Sequence, residues 1–453
     1  MGVIGVETEY GLQVHLPAPS GWRRLQPDDA ASAFFGDAYL DSGNNAFLRN
    51  GGRLYLDVGA HPEYATAECR TIADAIAQTV AGHDLMVELA DALVRRHGGE
   101  AKVQVFANNL DSHGNTYGSH ENYQVPRSDD LSGYDAFAGF LVTRQLIAGA
   151  GRWAPDGFRL AQRAEHIWQP VSSTSTRHRP MINTRDEPHA DPRRWRRLHV
   201  MVGDTNLSEV ALGLRLASTR LVLAAVERGI GPPSALLVDH EDAIRRVSRD
   251  RTGRVRLATR DDGEVSALDV QRDWWQASAD FTDDDTAAWH RLWGRTLDQL
   301  EAGDLDALAN TLDWAAKYRL MIRYAERHSL PPGAPRLAQL DLALHALVGE
   351  RIADSLGMAR VLTPRQRADA RTTPPADTRA ALRGRVIAAA EGAHRAVKAD
   401  WSRVEVPGLA TGVVMLPDPQ AHADTRIDAL VAAIGEAPLE VGLRGFHFAD
   451  PLV

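Results

Sequence analysis

The sequence predicts an α+β fold in which helices pack against one side of an antiparallel sheet. Strand patterns concentrate in the first 210 residues, whereas the second half shows the helical spacing of apolar residues. The clearest helical patterns cover residues 283–301, 305–328 and 337–356. Strands gathered in one part of a chain and helices in another are typical of α+β architecture.

The first half of the chain supplies strands and three further helices. Residues 3–15 predict the first strand, in which Gly11 marks a bulge or a close approach of the backbone. Residues 103–106 predict another short strand. Helical spacing predicts helices over residues 72–97, 134–148 and 207–228.

A separate small domain is predicted at the C-terminal end. The breaker cluster Thr372-Thr373-Pro374-Pro375 interrupts the helical pattern, and Asp377 and Thr378 after it are favourable N-cap residues. A helix to about residue 398, strands over 402–406 and 411–416, and a helix over 425–434 are expected to follow. We therefore predict a large domain over residues 1–375 and a small αββα domain over residues 376–453.

The composition excludes several classes of function. The 453 residues carry a formal net charge of −9, which argues against general nucleic-acid binding, because contacts to phosphates dominate that affinity. The longest apolar helical stretch, residues 210–226, contains Arg215 and Arg220, so we expect no membrane span. Cys69 is the single cysteine, so we expect no internal disulfide, a structural thiol and a cytoplasmic location.

Lysine is scarce in this chain. Lys102, Lys317 and Lys398 are the only lysines among 51 basic residues. A GC-rich genome explains such a bias toward arginine. A chain that handles reactive acyl groups near lysine amines would also gain from containing few lysines, so both interpretations stay open.

The segment RLYLDVGAHPEYAT, residues 53–66, carries unusual side chains for a strand. Because side chains alternate along a strand, Arg53, Tyr55 and Asp57 point to one face and the leucines between them point to the other. The turn that follows adds a second carboxylate at Glu63. One face of this strand therefore combines a cation, a phenol and carboxylates.

The first strand carries a second pair of acids. Glu7 and Glu9 are two residues apart and share a face. If this strand lies beside the segment 53–66, three or four oxygen atoms converge, and Mg²⁺ prefers oxygen ligands together with substrate phosphates. The competing interpretation is a solvated acidic face.

Two further segments have the composition of binding elements. Residues 172–200 are rich in arginine, and guanidinium groups match phosphate oxygens in bidentate geometry. These arginines are Arg177, Arg179, Arg185, Arg193, Arg194, Arg196 and Arg197. Neighbouring acids leave salt bridging as the alternative, and His199 is either a packed core residue or a metal or phosphate contact. Residues 108–123 are almost entirely polar and predict a substrate loop.

Several long motifs, taken in order, resemble the Pup ligase family, whose members attach prokaryotic ubiquitin-like protein (Pup) to lysines. The family is related to glutamine synthetase and γ-glutamylcysteine ligase. The matching motifs include GVETEYG (5–11), FLRNGGRLYLDVGAHPEYATAEC (47–69), NNLDSHGNTYGSHENY (108–123), RPMINTRDEPHAD (179–191) and RRLHVMVGDTNLSE (196–209). The short connection between Glu9 and Arg53 resembles the ligases rather than the sister depupylases, which carry a long insertion there.

The resemblance implies a role for each residue of the predicted site. Asp57 would be the catalytic base. The magnesium ligands would be Glu7, Tyr55 and Glu63, with Glu9 as a ligand of second rank. The ATP contacts would be Arg53, Thr66 and Trp401, the last of which lies in the small C-terminal domain.

The resemblance also implies the fold and the reaction. The larger domain would be glutamine-synthetase-like, with a curved antiparallel sheet and packed helices. With ATP and Mg²⁺, the chain would join the γ-carboxylate of the C-terminal glutamate of Pup to lysine ε-amines through a γ-glutamyl phosphate, and so mark proteins for proteasomal degradation. The alternatives are a depupylase or deamidase of the same tag, an inactive binder of the tag, and a small-molecule γ-glutamyl ligase.

Overall fold

The fold of the protein is known from a computed structural model. The structure describes residues 2–36, 45–57, 59–111, 114–127, 133–173, 179–185, 187–349, 351–410 and 412–436. Residues 437–453 of the predicted C-terminal domain lie outside this part of the chain.

An eight-stranded sheet forms the centre of the fold. Its strands are, in spatial order, β11 (Gln169–Ser172), β12 (Pro180–Asn183), β13 (Trp195–Val200), β8 (Ser119–Pro126), β1 (Ile4–Glu9), β6 (His61–Ala65), β5 (Arg53–Asp57) and β4 (Asn45–Phe47). Neighbouring strands are antiparallel except for β11 and β12. The prediction of an α+β fold with an antiparallel sheet is therefore confirmed.

The other strands form small sheets around the central one. One contains β2 (Gly11–Ala18), β3 (Gly21–Arg24) and β7 (Lys102–Phe106). Two hairpins contain β9 (Arg152–Ala154) with β10 (Gly157–Arg159), and β14 (Arg256–Ala258) with β15 (Glu264–Ser266). The last small sheet contains β16 (Lys398–Asp400), β17 (Arg403–Glu405) and β18 (Val413–Met415).

Helices follow the strands along the chain and dominate its second half. The α-helices are α1 (Pro27–Phe35), α2 (Ile72–Arg96), α3 (Tyr134–Thr143), α4 (Gln145–Ala148), α5 (Glu209–Val226), α6 (His240–Arg249), α7 (Ala267–Ala277), α8 (Ala287–Ala302), α9 (Leu305–Leu308), α10 (Asp313–Arg327), α11 (Pro335–Ala343), α12 (Ile352–Ser355), α13 (Pro364–Ala370), α14 (Arg379–Gly392) and α15 (Thr425–Glu436). Short 3₁₀ helices occur at Ala164–His166, Pro233–Ala235 and Ala279–Phe281. Among these described helices, none has the length and apolar character needed to cross a membrane.

Strand β1 shows how the sequence divides the sheet into two faces. Ile4 and Val6 are buried in the main hydrophobic core, which also contains Ile72 and Ile76 of α2. Because side chains alternate along a strand, Glu7 and Glu9 point to the opposite face. One face of the sheet is therefore covered by helices, and the other carries acidic side chains.

Gly11 lies in a closely packed position where the chain passes from β1 to β2. A Cβ atom at Gly11 would lie 2.7 Å from the hydroxyl of Tyr117. The predicted close approach at this glycine is confirmed, and the chain turns here from the central sheet into β2.

Three helices that the sequence predicted as continuous are divided or shorter in the structure. The helix predicted over 134–148 divides at Arg144, the helix predicted over 305–328 divides into α9 and α10, and the helix predicted over 337–356 ends at Ala343. For α10 the cause is tertiary, because the Asp313 carboxylate accepts hydrogen bonds from the backbone N–H groups of Leu207 and Ser208. The apolar periodicity predicted the helical segments but not the contacts that divide them.

The C-terminal domain contains one more strand than the sequence predicted. The αββα prediction omitted β16, so the described order is helix, three strands, helix. Nine apolar side chains of α14, the strands and α15 form a core of their own. A separate core is typical of an independent domain, and a boundary near residue 375 remains a prediction.

A buried ion-pair triad lies on the core side of the central sheet. Glu121 of β8 is 0% exposed and accepts hydrogen bonds from both terminal nitrogens of Arg144, at 2.8 and 2.7 Å. Arg215 of α5, which is 1% exposed, lies 3.6 Å from the same carboxylate. The Arg144 side chain reaches Glu121 from the point where α3 ends and α4 begins.

Replacing Glu121 with glutamine is expected to lower the free energy of unfolding by about 3–5 kcal/mol. The change would leave two guanidinium groups buried without their counter-charge, and breaking one side of a buried pair has this cost. Denaturant unfolding of E121Q beside E264Q measures the effect. Glu264 pairs with Arg256 at an exposed site, so E264Q should change stability by no more than about 0.5 kcal/mol.

Candidate active site

The acidic face of the central sheet brings most of the predicted site residues together. Within this face, Glu63 of β6 lies opposite Glu9 of β1 on one side and opposite Tyr55 of β5 on the other. Directly opposed residues of antiparallel strands share a face. One carboxylate oxygen each from Glu9, Asp57 and Glu63 lie within 4.8 Å of one another. We call these three residues the carboxylate cluster.

Burial strongly raises the pKa values of the two glutamates in the carboxylate cluster. Glu9 is 7% exposed and Glu63 is 3% exposed. Burial and the neighbouring charge of Asp57 raise the pKa of Glu9 to about 7. Burial, together with the charges of Glu7 and Glu9, holds the pKa of Glu63 well above its usual value. Two buried acids and the half-buried Asp57 repel one another at this distance, so a bound cation would stabilise them.

Glu7 lies two residues before Glu9 on β1 and belongs to a second cluster of polar side chains. Glu7 lies opposite His120 of β8, and its carboxylate is 3.3 Å from His120 Nδ1 and 3.5 Å from His199 Nε2. Asn122 donates a hydrogen bond of 3.2 Å to Glu7, and Arg197 lies 3.6 Å away. We call Glu7, His120 and His199 the glutamate–histidine cluster.

The charges of the glutamate–histidine cluster differ from those of the carboxylate cluster. Burial alone would raise the pKa of Glu7, but hydrogen bonds from His120 and His199 and the charge of Arg197 hold it well below its usual value. Burial lowers the pKa of His120 to about 4, so its ring is neutral at pH 7. Neutral imidazole and ionised carboxylate are the forms of these side chains that bind metals.

Both clusters fit the donor chemistry of a divalent cation. The carboxylate cluster offers only oxygen, which suits Mg²⁺. In the glutamate–histidine cluster, Nδ1 of the buried His199 and the side-chain oxygen of Asn122 have no hydrogen-bond partner, whereas His199 Nε2 faces the Glu7 carboxylate. Unpartnered buried polar atoms are rare in proteins and call for a missing ligand.

A cleft next to these clusters has the properties of a nucleotide pocket. It is open to solvent, spans about 610 Å³ of empty space when the open solvent within it is counted, and lies between the central sheet and the C-terminal domain. Its wall includes Glu7, Thr66 and Trp401. Thr66 is fixed there, because its hydroxyl accepts a hydrogen bond from the Val6 N–H at 3.0 Å and donates one to the Ala67 carbonyl.

The three predicted ATP contacts do not all line the cleft. Thr66 and Trp401 line it. Arg53 does not, but it lies on β5 directly opposite the cleft residue Ala65. The Arg53 guanidinium packs over the Tyr55 ring, 4.1 Å from its centroid, and donates a hydrogen bond to Asn45. Arg53 is therefore placed at the end of the cleft that faces the carboxylate cluster.

The predicted arginine segment divides into two groups. Arg196 and Arg197 line the cleft. Arg185 and Arg193 pair with Glu187 and Asp191 at exposed positions, and the guanidinium of Arg194 is 5.4 Å from the Trp195 ring centroid. Arg179 is half-buried at the start of β12 with φ of +29°, and Arg177 lies outside the described residues. Salt bridging, the alternative interpretation, thus accounts for part of the segment.

The predicted substrate loop is shorter than the sequence suggested. Residues 119–123 belong to β8, so the prediction of a loop over 108–123 is wrong for its last five residues. Asn109 is fully buried and fixes the first part of the loop. It donates hydrogen bonds to the side chains of Gln162 and Thr205 and to the Tyr117 carbonyl. Ser112 and His113 lie outside the described residues.

Sequence reasoning missed several members of the site. His120 and Asn122 alternate along β8 and could have been assigned to one face from the pattern SHENYQV. Glu68 also lines the cleft, and its hydrogen-bond partners Arg379 and Arg383 lie more than 300 residues away in the chain. No local signal joins such residues.

Comparison with known proteins identifies the family. The family model described as "Pup-ligase protein" matches residues 2–405. The chain belongs to the Pup ligase family. The Pup–protein ligase of Actinosynnema mirum is 43% identical over 451 residues, covering 95% of this chain and 99% of that protein. The Pup–protein ligase of Kribbella flavida is 43% identical over 452 residues, again with 95% and 99% covered.

Solved structures of Pup ligases have the same fold. The ligase PafA in complex with Pup matches with a TM-score of 0.88 at 36% identity, covering 96% of this chain and 91% of that chain. PafA in complex with ADP matches with a TM-score of 0.81 at 37% identity, covering 90% and 94%. The predicted family is therefore confirmed, and the chain shares its fold with the solved Pup ligases.

Proposed function

We propose that this Pup ligase uses ATP to join the γ-carboxylate of the C-terminal glutamate of Pup to the ε-amine of a lysine in another protein. The observation that carries the proposal is the carboxylate cluster beside an open cleft with arginines in its wall. Pup and ADP occur in the solved structures of the similar ligases, which supports both substrates. Such a reaction would mark the modified protein for proteasomal degradation.

The nucleotide would bind in the cleft, with its base toward Trp401 and its phosphates toward the clusters. Arg196 and Arg197 line the cleft, and Arg53 lies beside it. Guanidinium groups neutralise the charge that phosphoryl transfer concentrates on the γ-phosphate. The γ-carboxylate of Pup can then attack the γ-phosphorus, which forms a γ-glutamyl phosphate and releases ADP.

Magnesium would bind to the acidic face. Glu9, Glu63 and Tyr55 form one set of oxygen donors, and the Glu7 carboxylate with ring nitrogens of His120 and His199 forms a second, mixed set. A bound Mg²⁺ would supply charge neutralisation to the phosphates of ATP. The proposed ligands include the four that the sequence predicted. In the pairing of β1 with β6, Glu9 lies beside Glu63, whereas Glu7 belongs to the glutamate–histidine cluster.

Asp57 would act in the second step. The pKa of a free lysine amine is about 10.4, so the amine is protonated at pH 7 and cannot attack an acyl group. Asp57 is only half-buried at the end of β5, where an entering lysine can reach it. The Asp57 carboxylate would accept the proton, the amine would attack the acyl carbon, and inorganic phosphate would leave.

A reconstituted ligation assay tests the proposal. The full chain, a glutamate-ended Pup, MgATP and a lysine-rich acceptor protein are mixed, and a conjugate heavier by one Pup is expected by gel and mass spectrometry. A preformed conjugate without ATP tests for the depupylase. Release of Pup in that arm, without ligation in the other, would overturn the proposal, and binding without ATP turnover would indicate an adaptor.

Self-modification is expected at Lys102 and Lys398 but not at Lys317. Lys102 and Lys398 are exposed, whereas Lys317 is 3% exposed and its ammonium group is held by Asp341, His345 and the Gly151 carbonyl. Peptide mass spectrometry after ligation without an acceptor measures the sites. Modification of Lys317 at a level similar to Lys102 would contradict the expectation, and modification of all three would contradict a role for lysine scarcity.

A further inference from the structure

Glu68 forms a buried ion-pair group at the boundary between the two domains. The Glu68 carboxylate is 8% exposed and accepts a 2.7 Å hydrogen bond from Arg379 Nε and a 2.7 Å hydrogen bond from Arg383 Nη2. Arg383 is fully buried and Arg379 is 2% exposed. The charges of Arg383 and Arg379 outweigh the effect of burial and lower the pKa of Glu68 to about 2, so Glu68 is ionised.

The two arginines extend this contact to the walls of the cleft. Arg379 donates hydrogen bonds to the carbonyls of His189 and Leu416, at 2.7 and 2.9 Å. Arg383 donates to the carbonyl of Trp401 at 3.1 Å. Each arginine therefore joins Glu68 of the large domain to backbone atoms that frame the cleft.

Trp401 is also fixed by aromatic contacts. Its ring meets the Phe47 ring of β4 edge to face, with centroids 4.9 Å apart. The Arg383 guanidinium lies 5.2 Å from each of these two ring centroids. Arg383 thus contacts the ring of Phe47 in the large domain and the ring of Trp401 in the C-terminal domain.

The backbone at this boundary is packed without spare room. A Cβ atom at Gly384 of α14 would lie 2.4 Å from the Arg49 carbonyl, and one at Gly51 would lie 2.8 Å from the Ala380 side chain. Thr378 adds a 2.9 Å hydrogen bond from its hydroxyl to the Glu68 carbonyl. Helix α14 is therefore closely packed against the large domain at this boundary.

We infer that Glu68 is a positioning residue for the nucleotide pocket. By holding Arg379 and Arg383, it fixes the start of α14 and, through Arg383, fixes Trp401 as the wall of the cleft. The inference rests on the proposed function, because it takes the cleft as the ATP site. It adds to that function a residue that would act through others rather than on the phosphates.

The direction in which nucleotide affinity changes when Glu68 is replaced distinguishes a positioning role from a purely electrostatic one. Glu68 carries one negative charge among two guanidinium groups. Replacing it with glutamine makes the cleft more positive, so an electrostatic role predicts tighter binding of an anionic nucleotide. A positioning role predicts weaker binding, because the two arginines lose the acceptor that orients them.

Calorimetric titration with MgADP measures the affinity directly. For E68Q and R383K we expect the Kd for MgADP to rise about 10-fold or more, as is usual when a supporting hydrogen-bond partner is lost. T378V removes one hydrogen bond and keeps the shape of the side chain, so we expect a smaller rise. R385A is the matched control, because Arg385 lies on the same helix and pairs with Asp428 at an exposed site.

Ligation kinetics give the second measurement. The KM for ATP should rise in E68Q, while kcat at saturating ATP and the KM for Pup should change by less than about threefold. Circular dichroism shows whether each variant is folded, and T378V and R383K carry the test if E68Q is not. An unchanged Kd in folded variants, or a lower kcat with an unchanged KM for ATP, would overturn the positioning role. Failure of the wild-type chain to bind MgADP would overturn the proposed function as well.

Discussion

Replacing Asp57 with asparagine is expected to lower the rate of Pup ligation by about 10²–10⁴-fold, the usual contribution of a general base. The acceptor lysine would remain protonated, because asparagine cannot take its proton. Nucleotide binding should change little, because Asp57 does not line the cleft. A single-turnover assay with a lysine-rich acceptor measures the loss.

Hydroxylamine distinguishes the role of Asp57 from a role in the first step. Hydroxylamine is largely unprotonated at neutral pH, so it traps an acyl phosphate without a general base. We expect D57N to form the Pup hydroxamate at close to the wild-type rate. Equal loss of hydroxamate and conjugate would contradict the base assignment and place Asp57 in the phosphoryl-transfer step. D306N, at an exposed site of the surface, is the matched control and should behave as the wild type.

Replacing Glu63 with glutamine is expected to have opposite effects on stability and activity. Glu63 is the most buried member of the carboxylate cluster, and the charges of Glu7 and Glu9 act against it. In EDTA, E63Q should melt at a higher temperature than the wild type, because one repelling buried acid has been removed. Ligation should fall by about 10²–10³-fold, because a cation ligand of the proposed site is lost.

A thermal melt with and without Mg²⁺ tests this prediction. Mg²⁺ should raise the Tm of the wild type and should have a much smaller effect on E63Q, since ligands that bind only the native state stabilise it. E264Q repeats the same chemical change at an exposed site and should respond to Mg²⁺ as the wild type does. An equal Mg²⁺ response in E63Q would contradict the assignment of Glu63 as a ligand.

The sequence was sufficient to predict the faces of the strands. Alternation placed Glu7 with Glu9, and Tyr55 with Asp57, on single faces, and the structure agrees. Alternation does not predict which residues of two strands lie opposite each other, because that register is set by long-range pairing. The pairing of Glu9 with Glu63, rather than of Glu7 with Glu63, could be known only from the fold.

The helix breaks and the domain boundary show a second limit of sequence reasoning. Apolar spacing continues through Arg144, yet the helix divides there and its side chain pairs with Glu121 on a distant strand. Glu68 is an isolated acid in the sequence, and its two partners begin a helix in another domain. Such contacts join residues that no local period relates, since tertiary packing overrides propensity.

The path of oxygen from Pup to phosphate tests the central claim most directly. The γ-carboxylate of the C-terminal glutamate is labelled with ¹⁸O, and the wild-type chain is allowed to complete ligation with MgATP. If a γ-glutamyl phosphate forms and a lysine then displaces its phosphate, one ¹⁸O atom must appear in each molecule of inorganic phosphate released. Phosphate without ¹⁸O, alongside normal conjugate, would contradict carboxylate activation by ATP.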